Sequence, residues 1–230
     1  MRRAPTWPRS LLAILWRLLV GWGLVLAVVA TIGLTLGALG RGVGALRAED
    51  GVDRALAAHR TPALNDVTSV VSHLANTGAI IATMLVAAVV LRRVLHRWRD
   101  SLFVAAATWG QSMVFLATTA LVDRPRPRVS HLDAAPPTSS FPSGHTGAAI
   151  ALYAALAVVV LRWARRRWVR ILSVTLLLAV PVLVALSRLY RGMHHPSDVA
   201  GSVVCAGLTL AVSHVVVLRG PLPEDDAKAS

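Results

Sequence analysis

The chain is poor in most of what a water-soluble domain carries on its surface. Charged residues make up 15% of the 230 positions, against about 25% in an ordinary soluble domain. Acidic residues number 11, and lysine occurs once, at Lys228. The single cysteine, Cys205, excludes an intrachain disulfide and any cysteine-built metal site; inside its apolar block it reads as a small packing residue. Aromatic residues are 5% of the chain and do not interleave with the basic clusters, so the net charge of +13 does not describe a nucleic-acid binder. Repeats and low-complexity linkers are absent too, and residues 1–230 read as a single domain.

What remains is apolar. Hydrophobic residues are 55% of the chain, gathered in blocks, and about 20 apolar residues cross a bilayer as a helix. Six such blocks lie at roughly 11–39, 67–91, 102–122, 144–161, 169–187 and 199–218. The expected fold is therefore all-α, a bundle of six transmembrane helices. The first block is too long for a signal-peptide core. Arginine clusters mark one side of the bundle: Arg2, Arg3 and Arg9, then Arg92, Arg93, Arg97 and Arg99, then Arg162, Arg165, Arg166, Arg167 and Arg170. The positive-inside rule makes that side, with both termini, cytoplasmic. Residues 40–66 carry balanced charge, and a short helix along the interface is expected within them. The 123–143 and 188–198 connections share the opposite, outer face.

These two connections hold the chemistry. One contains Asp123-Arg124-Pro125-Arg126-Pro127-Arg128 and ends in Phe141-Pro142-Ser143-Gly144-His145; the other runs from Ser187-Arg188 to His194-His195-Pro196-Ser197-Asp198. Arginine forks bind phosphate oxygens in pairs, and a following proline keeps Arg124 and Arg126 extended. Ser143 and Gly144 open a helix whose free N–H groups suit an anion, with Gly144 permitting close approach. Asp198 stands four residues after His194, and a carboxylate on one ring nitrogen leaves the other basic. His145 adds a second group titrating near neutrality. Such a set suits phosphoryl transfer. The competing reading has His145, His194, His195 and Asp198 holding zinc or another cation; three nearby arginines weigh against it.

Together these segments resemble the PAP2 phosphatases, the type 2 phosphatidic acid phosphatases related to vanadium haloperoxidases. Pro142-Ser143-Gly144-His145 matches the family's second motif, and Ser187, Arg188, His194 and Asp198 match its third with the same spacing. Arg126-Pro127 matches the end of the first motif, Lys-x6-Arg-Pro, whose lysine position holds Thr119. The resemblance implies His194 as nucleophile, Asp198 as its orienting carboxylate and His145 as general acid and base. It implies phosphate binding by Arg126, Ser143, Gly144 and Arg188, with Arg124 standing in for the cation missing at Thr119. It further implies no metal and no cofactor, with a lipid phosphate held in the bilayer as the partner; the Ala, Val, Leu and Arg usage and the short loops fit a bacterial inner membrane. Phosphatidic acid, phosphatidylglycerol phosphate and an undecaprenyl-type diphosphate are the expected substrates. A phosphotransferase, a vanadate-dependent oxidase and a non-catalytic lipid-phosphate binder are the rival readings. The remaining polar residues take plainer roles: Arg128, Arg191, His131 and Asp133 in water or at lipid headgroups, Asp123 in an ion pair, and His73 and Asn76 in packing hydrogen bonds.

Overall fold

The computed structural model describes residues 7–39 and 45–220; the expectations placed on Arg2 and Arg3 fall outside them. Among the described residues the chain is all-helical: α1 (Trp7–Leu39), α2 (Ala45–Ala58), α3 (Pro62–His73), α4 (Thr77–Leu95), α5 (Arg99–Leu121), α6 (Gly144–Trp163), α7 (Arg167–Tyr190) and α8 (Pro196–Ser213), the last continued by a π-helical turn, His214–Arg219. Six helices among the described residues are long and apolar enough to cross a membrane: Leu11–Leu39, Thr77–Leu95, Arg99–Leu121, Gly144–Trp163, Arg167–Tyr190 and Pro196–Arg219.

The second span begins about ten residues later than its apolar block. The block 67–91 is cut at Leu74-Ala75-Asn76. Its first part belongs to α3, which Thr61 caps and Pro62 opens, while Asn76 caps α4 by accepting a hydrogen bond from the Ala79 N–H at 2.7 Å. Asn76 is thus a helix cap rather than a packing residue. The short helix expected within 40–66 is α2.

Helix α6 forms the centre of the bundle, packed against α5, α7 and α8. Half of its apolar window is buried, against 11% for α4 and α7. Its buried face is built from Ala149, Ala151, Ala155 and Ala157, small side chains that let helices approach closely where lipid supplies no hydrophobic drive. The outer helices turn Leu85, Val86, Val89, Leu176 and Leu183 outward, which a bilayer accepts and water does not.

The arginine-rich end is tied together locally: Arg99 donates to the Leu218 and Gly220 carbonyls, and the Arg97 guanidinium lies 4.9 Å from the Trp163 ring centroid. At the other end the C-termini of α5 and α7 meet the N-termini of α6 and α8, with α2 and α3 against them. Both polar connections therefore converge on one end of the bundle.

Candidate active site

His194 lies on the short connection between α7 and α8 and is almost fully buried. The connection turns at Gly192, whose φ of +72° is strained for other residues and whose missing Cβ leaves room for Val129 and Arg60. His194 Nδ1 donates to the Ser140 carbonyl at 2.8 Å, whereas the nearest Asp198 oxygen is 3.8 Å away. The backbone of the 122–143 connection thus fixes the ring, and its bond to Nδ1 leaves Nε2 with the free lone pair. Ser140 therefore joins Asp198, the expected orienting carboxylate, in fixing the ring. Burial, aided by the charges of Arg188 and Arg126, pushes the His194 pKa below the usual imidazole range despite Asp198. The ring is therefore neutral at pH 7, the form that can attack phosphorus.

Asp198 is completely buried, and two neighbours hydrogen-bond its carboxylate. Its Oδ2 accepts the His195 N–H at 2.8 Å, and its Oδ1 accepts from Arg124 Nη1. Arg124 in turn donates to Glu49 at 2.9 Å and to Ser197 at 2.7 Å. The stand-in role given to Arg124 is corrected by this geometry. Its guanidinium is buried in an ion-pair network with Asp198 and Glu49 rather than left open to phosphate. Thr119 makes no hydrogen bond to the cluster among the described residues. Its hydroxyl bonds the Leu116 carbonyl, and it lines a cleft of about 440 Å³ with Asp123, Arg124, Arg126 and Pro136 to Ser139. Asp123 is exposed and has no ion pair among the described residues.

Arg126 and Arg188 behave differently from Arg124. Arg126 Nη1 donates to the Met193 carbonyl at 2.8 Å. Arg188 Nη1 donates to Ser72 Oγ at 2.6 Å and to Asp133 at 2.7 Å. In both, Nε is buried without a partner. Each guanidinium is thus anchored by Nη1, and its side-on Nε–Nη2 edge carries no hydrogen bond among the described residues. That edge is the one that receives two oxygens of a phosphate. The two arginines lie close enough for their charges to act on each other and on His194.

His145, half-buried in the first turn of α6, feels the charges of Arg188, His194, Asp133 and His73. Among the described residues no side chain caps α6, so first-turn N–H groups remain for an anion. Ser143 itself is less available: its N–H bonds the Asp198 carbonyl at 3.2 Å and its hydroxyl pairs with Thr146 at 3.0 Å. Packing also favours glycine at 144, since a Cβ there would meet the Phe115 ring at 2.7 Å.

Several participants have no motif to announce them. Asp133 and Arg191, expected in water, pair with each other at 2.6 Å. His195 Nδ1 lies 2.7 Å from Asp53 Oδ2. Glu49 and Asp53 are four residues apart on α2, so they share a face; that spacing is the one signal that could have found them. Asp50, Asp53 and His195 have ligand-type atoms within 4.8 Å of one another, a grouping that could hold a cation but includes neither His194 nor His145.

Burial opposes a charged His195 ring, but the Asp53 hydrogen bond and the Asp198 charge outweigh it and raise its pKa above the usual value, against the charge of Arg124. A raised histidine contributes stability below about pH 6.5, lost as pH climbs through the folded-state value. Asp53→Asn should therefore lower the melting temperature more at pH 6 than at pH 9, as read by thermal unfolding in detergent. An equal loss at both values would count against a charged pair.

The PAP2 superfamily matches residues 100–220, a stretch that includes Arg126, His145, Arg188, His194 and Asp198. No curated protein matches the chain. Among solved structures, a transmembrane PAP2 type phosphatidylglycerolphosphate phosphatase from Bacillus subtilis is similar in fold. It shares 21% identity, the match covers 92% of this chain and 96% of that one, and the TM-score is 0.71. The family match spans more than half of the sequence, and the chain belongs to the PAP2 superfamily as a multi-pass membrane protein with the fold of a PAP2-type phosphatase.

Proposed function

We propose that the chain is a metal-independent lipid phosphatase working through a phosphohistidine at the outer face of a bacterial inner membrane, with both termini cytoplasmic. The observation that carries this reading is the pair of arginines, half-buried Arg126 and buried Arg188, whose Nε atoms are buried and unpaired among the described residues and whose side-on edges lie beside a neutral buried histidine. An unpaired buried guanidinium edge is costly, and a phosphoryl group supplies both the charge and the paired oxygens that satisfy two of them.

The steps follow from that geometry. His194 Nε2 forms a bond to phosphorus while the bond from phosphorus to the leaving oxygen breaks, and His145 donates its proton to that oxygen. His145 then takes a proton from water, whose oxygen attacks phosphorus. The N–P bond breaks, and phosphate and a neutral His194 result. Charge on the equatorial oxygens is met by Arg126, Arg188 and the first turn of α6. Asp198 supports the site indirectly, by holding the His195 backbone and Arg124 in place.

The substrate is a phosphate ester or anhydride whose tail stays in lipid. Phosphatidylglycerol phosphate, named for the similar Bacillus subtilis enzyme, leads the candidates, with phosphatidic acid and an undecaprenyl-type diphosphate beside it. The cleft that Thr119 and Arg126 share gives a headgroup a route to Arg126. Release of phosphate from these lipids by the purified protein, undiminished by excess EDTA, tests the reading; release abolished by EDTA would sink its metal-free part.

Arg188→Lys and Arg126→Lys separate a fork from a point charge. Lysine keeps the charge but offers no planar edge. Each variant should lose about 10- to 100-fold in kcat/KM. Steady-state kinetics on the best lipid checks this, and a loss under twofold would remove the clamp role.

A further inference from the structure

Two arginines of the α7–α8 region, Arg188 and Arg191, touch one carboxylate, and their hydrogen-bond inventories differ. A guanidinium has five N–H groups. Arg191 uses all of them. Its Nε donates to Asp133 Oδ2 at 2.9 Å, Nη1 to the Asn65 carbonyl at 3.0 Å and to Thr68 Oγ1 at 3.2 Å, and Nη2 to Asp133 Oδ1 at 2.6 Å and to the Leu132 carbonyl at 3.0 Å. Nothing is left on Arg191 for a substrate. Among the described residues Arg188 spends only Nη1, on Ser72 and Asp133, and keeps its Nε–Nη2 edge.

Asp133 joins the two. Arg191 grips it through both oxygens and is itself fixed to α3 through Asn65 and Thr68. The Leu132 N–H also bonds the Arg191 carbonyl at 3.1 Å. A carboxylate held this way cannot drift, so its bond to Arg188 passes the rigidity of α3 to a long side chain that would otherwise sample many rotamers. With both Nη1 hydrogens taken by Ser72 and Asp133, the guanidinium plane has one orientation. Binding a phosphate then orders little that is not already ordered.

We propose that Asp133, on a loop outside all three family motifs, is the positioning residue of the phosphate clamp: it locks Arg188 with its side-on edge toward the phosphoryl group. The inference rests on the phosphatase reading. A purely structural role, tying the loop to Arg191, would support the fold without reference to Arg188.

The test is a double-mutant cycle in the full-length protein in detergent, read by steady-state kinetics and by inhibition with inorganic phosphate. Asp133→Ala should raise both KM and the inhibition constant for phosphate about tenfold, with a smaller effect on kcat. On an Arg188→Ala background the same substitution should do almost nothing more, because its target is gone. An unchanged inhibition constant, or the same loss with and without Arg188, would overturn the proposal. Should Asp133→Ala fail to fold, Asp133→Asn takes its place: the amide keeps one oxygen for Arg191 and loses the charge on Arg188. A weaker grip on phosphate in that variant supports the proposal, and an unaltered one overturns it. A wild-type protein that releases no phosphate from any lipid and does not bind inorganic phosphate would overturn the functional reading and this inference together. Wild-type turnover with an unmoved Asp133 variant would overturn the inference alone.

Discussion

His194→Ala should abolish phosphate release. The loss should be about 10,000-fold or more, the scale seen when a covalent nucleophile is removed from a site whose binding groups stay in place. The neighbouring histidine makes the test sharp. His195 is of the same residue type and one position away, yet its Nδ1 is engaged by Asp53 and its backbone N–H by Asp198. His194 is instead fixed by a neutral backbone carbonyl, which orients the ring without holding a proton on Nε2. His195→Ala should therefore retain measurable turnover. Rapid quenching with a phosphate-labelled lipid should trap an acid-labile label on the wild-type chain and none on His194→Ala. A label that survives in that variant would move the nucleophile elsewhere, to His195 first.

The ease with which these residues can be found by reading alone has a physical basis. His194 and Asp198 lie four residues apart across the start of α8, and Ser143 to His145 sit at another helix start, so spacing along the chain is also spacing in space. The bundle was legible for a similar reason: bilayer thickness sets block length, and arginines flank the blocks. The partners of the motif residues were not. Ser72 reaches Arg188 across 116 positions, Asp53 reaches His195 across 142, and Glu49 reaches Arg124 across 75. No local pattern encodes such pairs, and Asp133 in a Pro- and Ala-rich loop reads as solvated until Arg191 is seen beside it. Arg124 and Arg126 are alike in sequence, each before a proline, and only tertiary burial separates the network member from the clamp. The late start of the second span belongs to the same class. Val67, Val70 and Val71 are apolar enough to extend the block, but Thr68, Ser72 and the Asn76 cap place α3 over the site instead of in the span.

The contrast between the two arginines leads to the second large effect. Arg124 is 6% exposed and Asp198 fully buried, so removing one partner leaves the other charge uncompensated. Breaking such a pair costs about 3–5 kcal/mol, and Arg124→Met should lower the melting temperature steeply. The catalytic signature should differ as well. Arg124 touches Asp198, Glu49 and Ser197, none of which meets the phosphoryl group in the scheme above. In protein that remains folded at low temperature, kcat should fall as the His195–Asp198 turn loosens, while inhibition by inorganic phosphate stays near the wild-type level. Arg126→Lys should show the reverse, with a near-normal melting temperature and weakened phosphate inhibition. Adding Glu49→Gln to Arg124→Met should recover part of the lost stability, because it removes one of the two carboxylates that the arginine neutralised. Weakened phosphate inhibition in Arg124→Met without loss of stability would return Arg124 to the clamp and give the site a third phosphate-binding arginine in place of the missing lysine.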